Sequence, residues 1–168
     1  RRTKLPTSGP QAVHIADLNE DGHADLLFAN RQDGKTFDVA SYIYWGAADG
    51  YAPFDRTDLQ GFGAMDAASA DVNADGAPDV ILVNRLSGKT GDPLSSFLYW
   101  GNPRGVFSPS FATLLPTVAP MGSAAADLDH DGYPDIIYCN QGPAAYLYWG
   151  GPAGYSESRR LDLPVSAN

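Results

Sequence analysis

Asp17-Leu18-Asn19-Glu20-Asp21-Gly22-His23-Ala24-Asp25 is the first of three copies of one acidic nonapeptide. The others are Asp71-Val72-Asn73-Ala74-Asp75-Gly76-Ala77-Pro78-Asp79 and Asp127-Leu128-Asp129-His130-Asp131-Gly132-Tyr133-Pro134-Asp135. The opening Asp recurs after 54 residues and again after 56, so the loop marks a structural repeat as well as a binding site. Oxygen-bearing side chains at positions 1, 3, 5 and 9 match what a hard cation requires. Gly at position 6 permits the sharp turn that lets them converge. The expected side-chain ligands are Asp17, Asn19, Asp21 and Asp25; Asp71, Asn73, Asp75 and Asp79; and Asp127, Asp129, Asp131 and Asp135. His23, Ala77 and Tyr133 hold position 7, where the backbone carbonyl is expected to bind. The pattern calls for Ca2+, one ion per repeat and about three in all.

Two other readings of the loop are weaker. EF-hand and dockerin-type loops share the opening Asp-x-Asn-x-Asp-Gly, but an EF-hand needs a bidentate Glu at position 12. Phe28, Leu82 and Tyr138 stand there, inside strand-like sequence. An Asp/Asn/Gly turn without an ion would leave four carboxylates repelling one another in the third loop. Catalytic metals keep an exchangeable position and a nearby acid or base, whereas these loops fill every ligand position themselves. The ions are therefore expected to clamp turns, not to act on a substrate.

Around each loop the sequence reads as four strands. A small apolar strand precedes it: Ala12–Ala16, Ala67–Ala70 and Ser123–Ala126. A continuous apolar run follows it, over residues 24–30, 78–84 and 134–140. A third strand ends in Tyr42-Ile-Tyr-Trp-Gly46, Phe97-Leu-Tyr-Trp-Gly101 and Tyr146-Leu-Tyr-Trp-Gly150. A Gly turn then leads to an outer strand over 54–59, 107–115 and 155–163. Small residues suit the tight inner edge of a wedge, and continuous apolar runs suit strands buried on both faces. Four strands per period of about 50 residues predicts an all-β propeller of four-stranded blades, three in this chain. The expected divisions are an outer strand of a preceding or shared blade at 1–10, and blades at 11–60, 61–116 and 117–168. Arg1-Arg-Thr-Lys-Leu-Pro-Thr7 resembles Arg159-Arg-Leu-Asp-Leu-Pro-Val165, which supplies the surplus outer strand. Three blades leave apolar faces and strand edges open. The chain is thus expected to be part of a longer propeller or to complete a ring by homo-oligomerisation.

Composition sharpens the setting. The net charge is −9, yet ten of the twenty acidic residues occupy ligand positions, and three Ca2+ would bring the charge to about −3. No basic stripe supports nucleic-acid binding. No apolar run reaches the roughly 20 residues of a membrane span. A chain opening at Arg1 and not Met reads as a mature or excised piece. Loops with affinities of roughly 10⁻⁴–10⁻³ M suit calcium-rich surroundings. An extracellular, cell-surface or periplasmic location is expected. Cys139 is the lone cysteine and matches Ala29 and Val83 in register, so a buried, inert thiol is expected.

The loop, the aliphatic run after it and the aromatic-Gly strand end resemble the FG-GAP/VCBS repeat family, calcium-loop propellers that include the integrin α-subunit head. The resemblance covers essentially the whole chain. Phe62-Gly63 matches the family's Phe-Gly, which the first and third repeats lack. The family's Gly-Ala-Pro is replaced by Asn30-Arg31, Asn84-Arg85 and Asn140-Gln141. The resemblance implies a binding or adhesion module.

Catalysis finds no constellation here: His14, His23 and His130 are scattered, and no nucleophile elbow or phosphate loop is present. Trp45, Trp100 and Trp149 recur at one strand end, as inter-blade packing requires. Asn30, Arg31 and Lys35, with Asn84, Arg85 and Lys89, open matching loops on the end opposite the acidic turns, and the third repeat loses these cations. They are the candidate contacts for a protein or glycan ligand. Two alternatives are a self-assembling building block and an accessory propeller of a polysaccharide-acting enzyme.

Overall fold

The computed structural model describes residues 2–86 and 94–164. Lys89 lies outside the described residues. Three four-stranded antiparallel sheets follow one another along the chain. The first holds β1 (Pro10–Ala16), β2 (Asp25–Asn30), β3 (Ser41–Tyr44) and β4 (Arg56–Leu59). The second holds β5 (Ala64–Ala70), β6 (Asp79–Asn84), β7 (Ser95–Tyr99) and β8 (Ala112–Pro116). The third holds β9 (Pro120–Ala126), β10 (Asp135–Asn140), β11 (Ala144–Tyr148) and β12 (Arg160–Pro164). Spatial order equals chain order in each, so every repeat is the same meander. The fold is all-β, and the sheets do not close into a barrel.

Several strand limits differ from the sequence expectation. The third strands stop before Trp-Gly, because that pair turns away to meet the acidic loop. The outer strands start late, at Arg56, Ala112 and Arg160. Short 3-10 turns, Pro109–Phe111 and Glu157–Arg159, precede the last two. Pro109 presets φ there, and the Ser108 side chain accepts the Ser110 N–H. The first strands reach back to Pro10, Ala64 and Pro120 across an irregularity in register.

Two cores lie between the sheets. Leu18, Leu27, Ala29, Ile43 and Leu59 of the first repeat meet Ala64, Ala67, Val80, Leu82, Phe97, Tyr99 and Phe107 of the second. Val72, Ile81, Val83, Leu98 and Leu115 then meet Ile136, Tyr138, Tyr148 and Tyr155 of the third. The substantial contacts between sheets all involve a first strand: β1 with β5, β2 with β5, β5 with β9 and β6 with β9. The sheets thus converge at the edge where Ala and Ser leave room. The middle sheet is covered on both faces, and every residue of β6 and β7 is buried. In β2 and β10 buried and partly exposed residues mix, because among the described residues no second sheet lies on one face of each outer sheet; on the first sheet Tyr44 is still buried there, bonded to Pro6.

Cys139 corrects the sequence reading. Ala29 and Val83 are fully buried, but Cys139 is exposed. It stands on the face of the third sheet that neither of the other described sheets covers.

Aromatic residues stitch each sheet to the next. Trp45 stacks on Phe107 with centroids 6.4 Å apart and planes at 12°, and Trp100 packs on Tyr155 at 6.4 Å and 33°. The Tyr99 hydroxyl donates to the Gln60 carbonyl (2.7 Å) and Tyr148 to Pro116 (2.6 Å). Tyr44 donates in the same way to Pro6. Residues 2–9 form no strand, yet Pro6 stands where the end of a preceding outer strand stands in the later repeats.

The Trp-Gly signature has a steric cause. A Cβ on Gly46, Gly101 or Gly150 would run into the carbonyl oxygen of Ala24, Pro78 or Pro134. Gly50 has φ +99° but open space around it. Gly101→Ala is therefore expected to cost about 3 kcal/mol, as an overpacked backbone contact does. Gly50→Ala should cost only about 1–2 kcal/mol of left-handed strain. Urea unfolding of both variants measures the difference, and equal losses would refute the close-approach argument.

Candidate metal centre

Each acidic loop is folded by its own carboxylates. The position-1 carboxylates of Asp17, Asp71 and Asp127 accept the N–H of position 5 (3.1, 3.0 and 3.2 Å) and of the Gly at position 6 (2.8, 2.9 and 3.0 Å). Asp21, Asp75 and Asp131 accept the N–H of His23, Ala77 and Tyr133 at 2.8–2.9 Å. The Asn19 and Asn73 amides donate to Asp21 and Asp75 at 3.0 and 2.9 Å. The chain turns sharply at position 4, where Glu20, Ala74 and His130 have φ of 58°, 58° and 62°. The Gly at position 6 follows at 88–92°. Only the Gly was legible in sequence; the left-handed residue at position 4 was not, because three different side chains adopt it.

Position 9 has a second task. Asp25, Asp79 and Asp135 are buried at 0–1% exposure. One oxygen of each accepts the N–H of position 2, from Leu18, Val72 and Leu128, at 2.8, 3.0 and 2.8 Å. The other accepts from Gly46, Gly101 and Gly150, at 2.8, 2.7 and 2.8 Å. The last carboxylate thus ties the loop entrance to the end of the third strand. The sequence signal for this was the strand-ending Gly, whose partner could not be read from spacing.

Burial pushes the Asp79 carboxyl up to about 6, against the lowering effect of the Gly101 and Val72 N–H groups, while Asp75 and Asp71 raise it further. Burial raises Asp25 as well. Exposed Asp21 goes the other way, because the His23 N–H and the Asn19 amide favour its charged form.

In the third loop, carboxylate oxygens of Asp127, Asp129 and Asp135 lie within 4.8 Å of one another. Asp131 stands outside that group. In the first two loops Asn19 and Asn73 replace the third carboxylate with an amide. The ion pairs among the described residues are Arg56–Asp58, Arg160–Glu157 and Arg160–Asp162, so none of them neutralises a loop carboxylate. A hard-oxygen donor set with no cationic side chain paired to it fits a divalent cation.

The loops after β2, β6 and β10 lie at the other end of those strands. Asn30 and Asn84 are fully buried. Their side-chain oxygens accept from Ser8 and Phe62 N–H (3.2 and 2.9 Å), and their amides donate to the Ala40 and Ser95 carbonyls (2.9 and 3.4 Å). Asn140 repeats the pattern with Val118 and Ala144. Arg31 holds its guanidinium 5.5 Å from the Phe37 ring centroid, and Lys35 is exposed. Arg85 reaches the third sheet, donating to Gln141 at 2.6 Å beside the Met121 sulfur. His14 joins Ser69 at 2.8 Å across the first two sheets, and burial lowers its pKa while Asp66 opposes that.

The raised carboxyls set a pH dependence. Without a cation, the native state holds the Asp79 proton more tightly than the unfolded chain, whose carboxyl titrates near 3.8. That stabilisation is full below 3.8 and is lost as pH rises through about 6. In EDTA the urea midpoint should fall over this interval, and Ca2+ should reverse the fall. A midpoint that rises in EDTA would contradict the burial argument.

A family model described as FG-GAP-like repeat matches residues 17–82 and 71–138. Integrin alpha-IIb of Mus musculus is 29% identical over 147 residues, which is 75% of this chain and 14% of that protein. Integrin alpha-7 of Rattus norvegicus is 27% identical over 165 residues, 89% of this chain and 14% of its own length. The chain thus spans about 14% of the curated relatives it matches. Among solved structures, a crystal structure of BBS1N in complex with ARL6DN superposes with a TM-score of 0.55 at 14% identity. The likeness covers 95% of this chain and 41% of that one. Among the described residues, no helix is long and apolar enough to cross a membrane.

Proposed function

The chain belongs to the FG-GAP-like repeat family, and on that premise we propose that it is a calcium-stabilised, propeller-type module that binds a protein ligand and does no chemistry of its own. The observation that carries this reading is the carboxylate group of Asp127, Asp129 and Asp135, gathered with no described ion pair to balance it. One Ca2+ per loop would balance the charge. Its ligands in the three loops would be Asp17, Asn19, Asp21 and Asp25; Asp71, Asn73, Asp75 and Asp79; and Asp127, Asp129, Asp131 and Asp135. The carbonyls of His23, Ala77 and Tyr133 would complete the sets. An ion held this way braces a turn whose ligand positions are already filled, so it leaves no open site for a substrate. The similarity to integrin alpha chains supports an extracellular or cell-surface setting, where millimolar calcium keeps such loops loaded.

The ligand face is the opposite end of the sheets. There Asn30 and Asn84 brace the loop entrances, Arg31 and Lys35 form a positive patch, and Arg85 joins the second loop to the third sheet. An acidic surface on a folded protein fits this patch. A self-assembling role is the second reading, and the exposed third-sheet face favours it.

Calcium should raise the melting temperature. At a hundredfold excess over Kd, each site adds about 2.7 kcal/mol. Asp129→Ala should weaken calcium binding at least tenfold while costing the EDTA form no more than about 1 kcal/mol, since it loses the Asp131 N–H bond but also removes a repelling charge. Calorimetric titration and melting curves read both effects, and an unchanged melting point on adding calcium would sink the proposal. For the ligand face, Arg31→Glu combined with Lys35→Glu should abolish binding on an array of extracellular proteins without moving the melting point. Retained binding, or binding only on a glycan array, would place recognition elsewhere.

A further inference from the structure

The joint between the second and third repeats holds a cleft of about 290 Å³, lined by Val72, Asn73, Trp100, Tyr133, Gly151 and Gly154. Val72 and Asn73 belong to the second acidic loop, Tyr133 to the third, and the two glycines to the turn that leads to β12. Their counterparts at the joint between the first and second repeats are Leu18, Asn19, Trp45, Ala77, Asn102 and Gly105. There the turn sits tightly on its neighbours. A Cβ on Gly105 would stand 2.7 Å from the Asn19 Cβ and 2.9 Å from the Trp45 ring, whereas a Cβ on Gly154 would meet nothing within 4 Å.

One residue of chain length accounts for the difference. Both turns close with the same bond, Gly105 N–H to the Asn102 carbonyl and Gly154 N–H to the Gly151 carbonyl, each at 2.8 Å. The aromatic residue that receives the preceding Trp then stands seven residues after Trp100 in the second repeat (Phe107), but six after Trp149 in the third (Tyr155). The shorter link holds Gly154 off Trp100. The ring pair splays accordingly, from 12° at Trp45 and Phe107 to 33° at Trp100 and Tyr155. Position 7 of the loop adds a second change: Ala77 is small and buried, whereas Tyr133 brings a partly exposed phenol ring.

No charged side chain lines the cleft. The Arg159 guanidinium packs against Gly151 and donates to the Gly150 carbonyl, and the Trp100 indole N–H donates to Thr113 at 3.1 Å. The Asn73 amide keeps one N–H free after bonding Asp75 at 2.9 Å. Two aromatic rings, that amide and glycine backbone thus remain to meet a ligand. An ionic ligand would leave its charge there without a partner. A neutral ligand with apolar faces and a hydroxyl rim matches the lining. Roughly 300–1,000 Å³ is usual for small-molecule sites, so this cleft has room for a single ring.

We propose that the cleft binds one pyranose residue of a neutral glycan, its C–H face against Trp100 and Tyr133 and its hydroxyls on the Asn73 amide and the glycine backbone. Both repeats that build the cleft are described, and neither of the sheet faces without a neighbour contributes to it. The site stands at the acidic-loop end, away from Arg31 and Lys35. Saturation-transfer NMR and tryptophan fluorescence with the methyl glycosides of glucose, galactose, mannose and N-acetylglucosamine test it on this chain in calcium, and at least one glycoside should bind at millimolar concentration. Tyr133→Ala restores the side chain of the first joint and keeps every backbone group of the loop. It should melt and take up calcium as the parent does, yet bind that glycoside about tenfold more weakly. Tyr133→Phe keeps the ring and should retain binding. Arg31→Glu with Lys35→Glu should leave it unchanged, which separates this site from the protein-binding face. Silence from all four glycosides, or equal affinity in Tyr133→Ala, would overturn the proposal while the calcium-dependent melting point still tests the module reading. A proline-rich peptide that perturbs the same tryptophan signal where the glycosides do not would overturn it in favour of a peptide groove.

Discussion

A buried carboxylate that accepts two backbone N–H groups holds each repeat together. Asp25, Asp79 and Asp135 join the entrance of the acidic loop to the glycine that ends the third strand. Hydrogen bonds to a charged group contribute about 1.5–3 kcal/mol each, but only if the charge is tolerated. Burial works against that charge, which is why the Asp79 carboxyl rises to about 6. In Asp25 and Asp79 the side chain that ties the repeat is therefore also one whose charge burial disfavours.

From this strut the rest of the architecture follows. Because the Gly N–H must reach the carboxylate, the strand end is pressed against the carbonyl of position 8, and only Gly fits. The Trp before it is then aimed at the next sheet, where Phe107 or Tyr155 receives it. The tyrosine before the Trp captures the incoming chain of the previous repeat. Acidic loop and strand end are thus one mechanical unit repeated three times, and at two of the three it is joined to the packing of the next sheet. At the other end of the second strand, a buried Asn plays a lesser version of the same part, bonding two backbone segments with one amide.

Much of this is legible in the amino-acid sequence. The acidic loops, the four-strand period and the small residues of the first strands follow from residue type and spacing. Strand limits were less legible, since the outer strands at Ala112 and Arg160 wait for 3-10 turns built by Ser108-Pro109 and Ser156-Glu157. Cys139 departs from its register expectation for a different reason. Register shows which face of a strand a residue shares, but not whether anything covers that face. Leu128 shows the same effect, identical in motif position to Leu18 yet half exposed.

The sequence alone determined the repeat, the all-β class and the chemistry of the loops, because those depend on local periodicity and on which side chains carry oxygen. Only the tertiary structure decided which carboxylates come together, which position ties loop to strand, and which of three equivalent faces stays open. Those outcomes depend on contacts between residues far apart in the chain. Identical local patterns then meet different neighbours: a sheet on each face of the middle one, and among the described residues a sheet on only one face of each of the others.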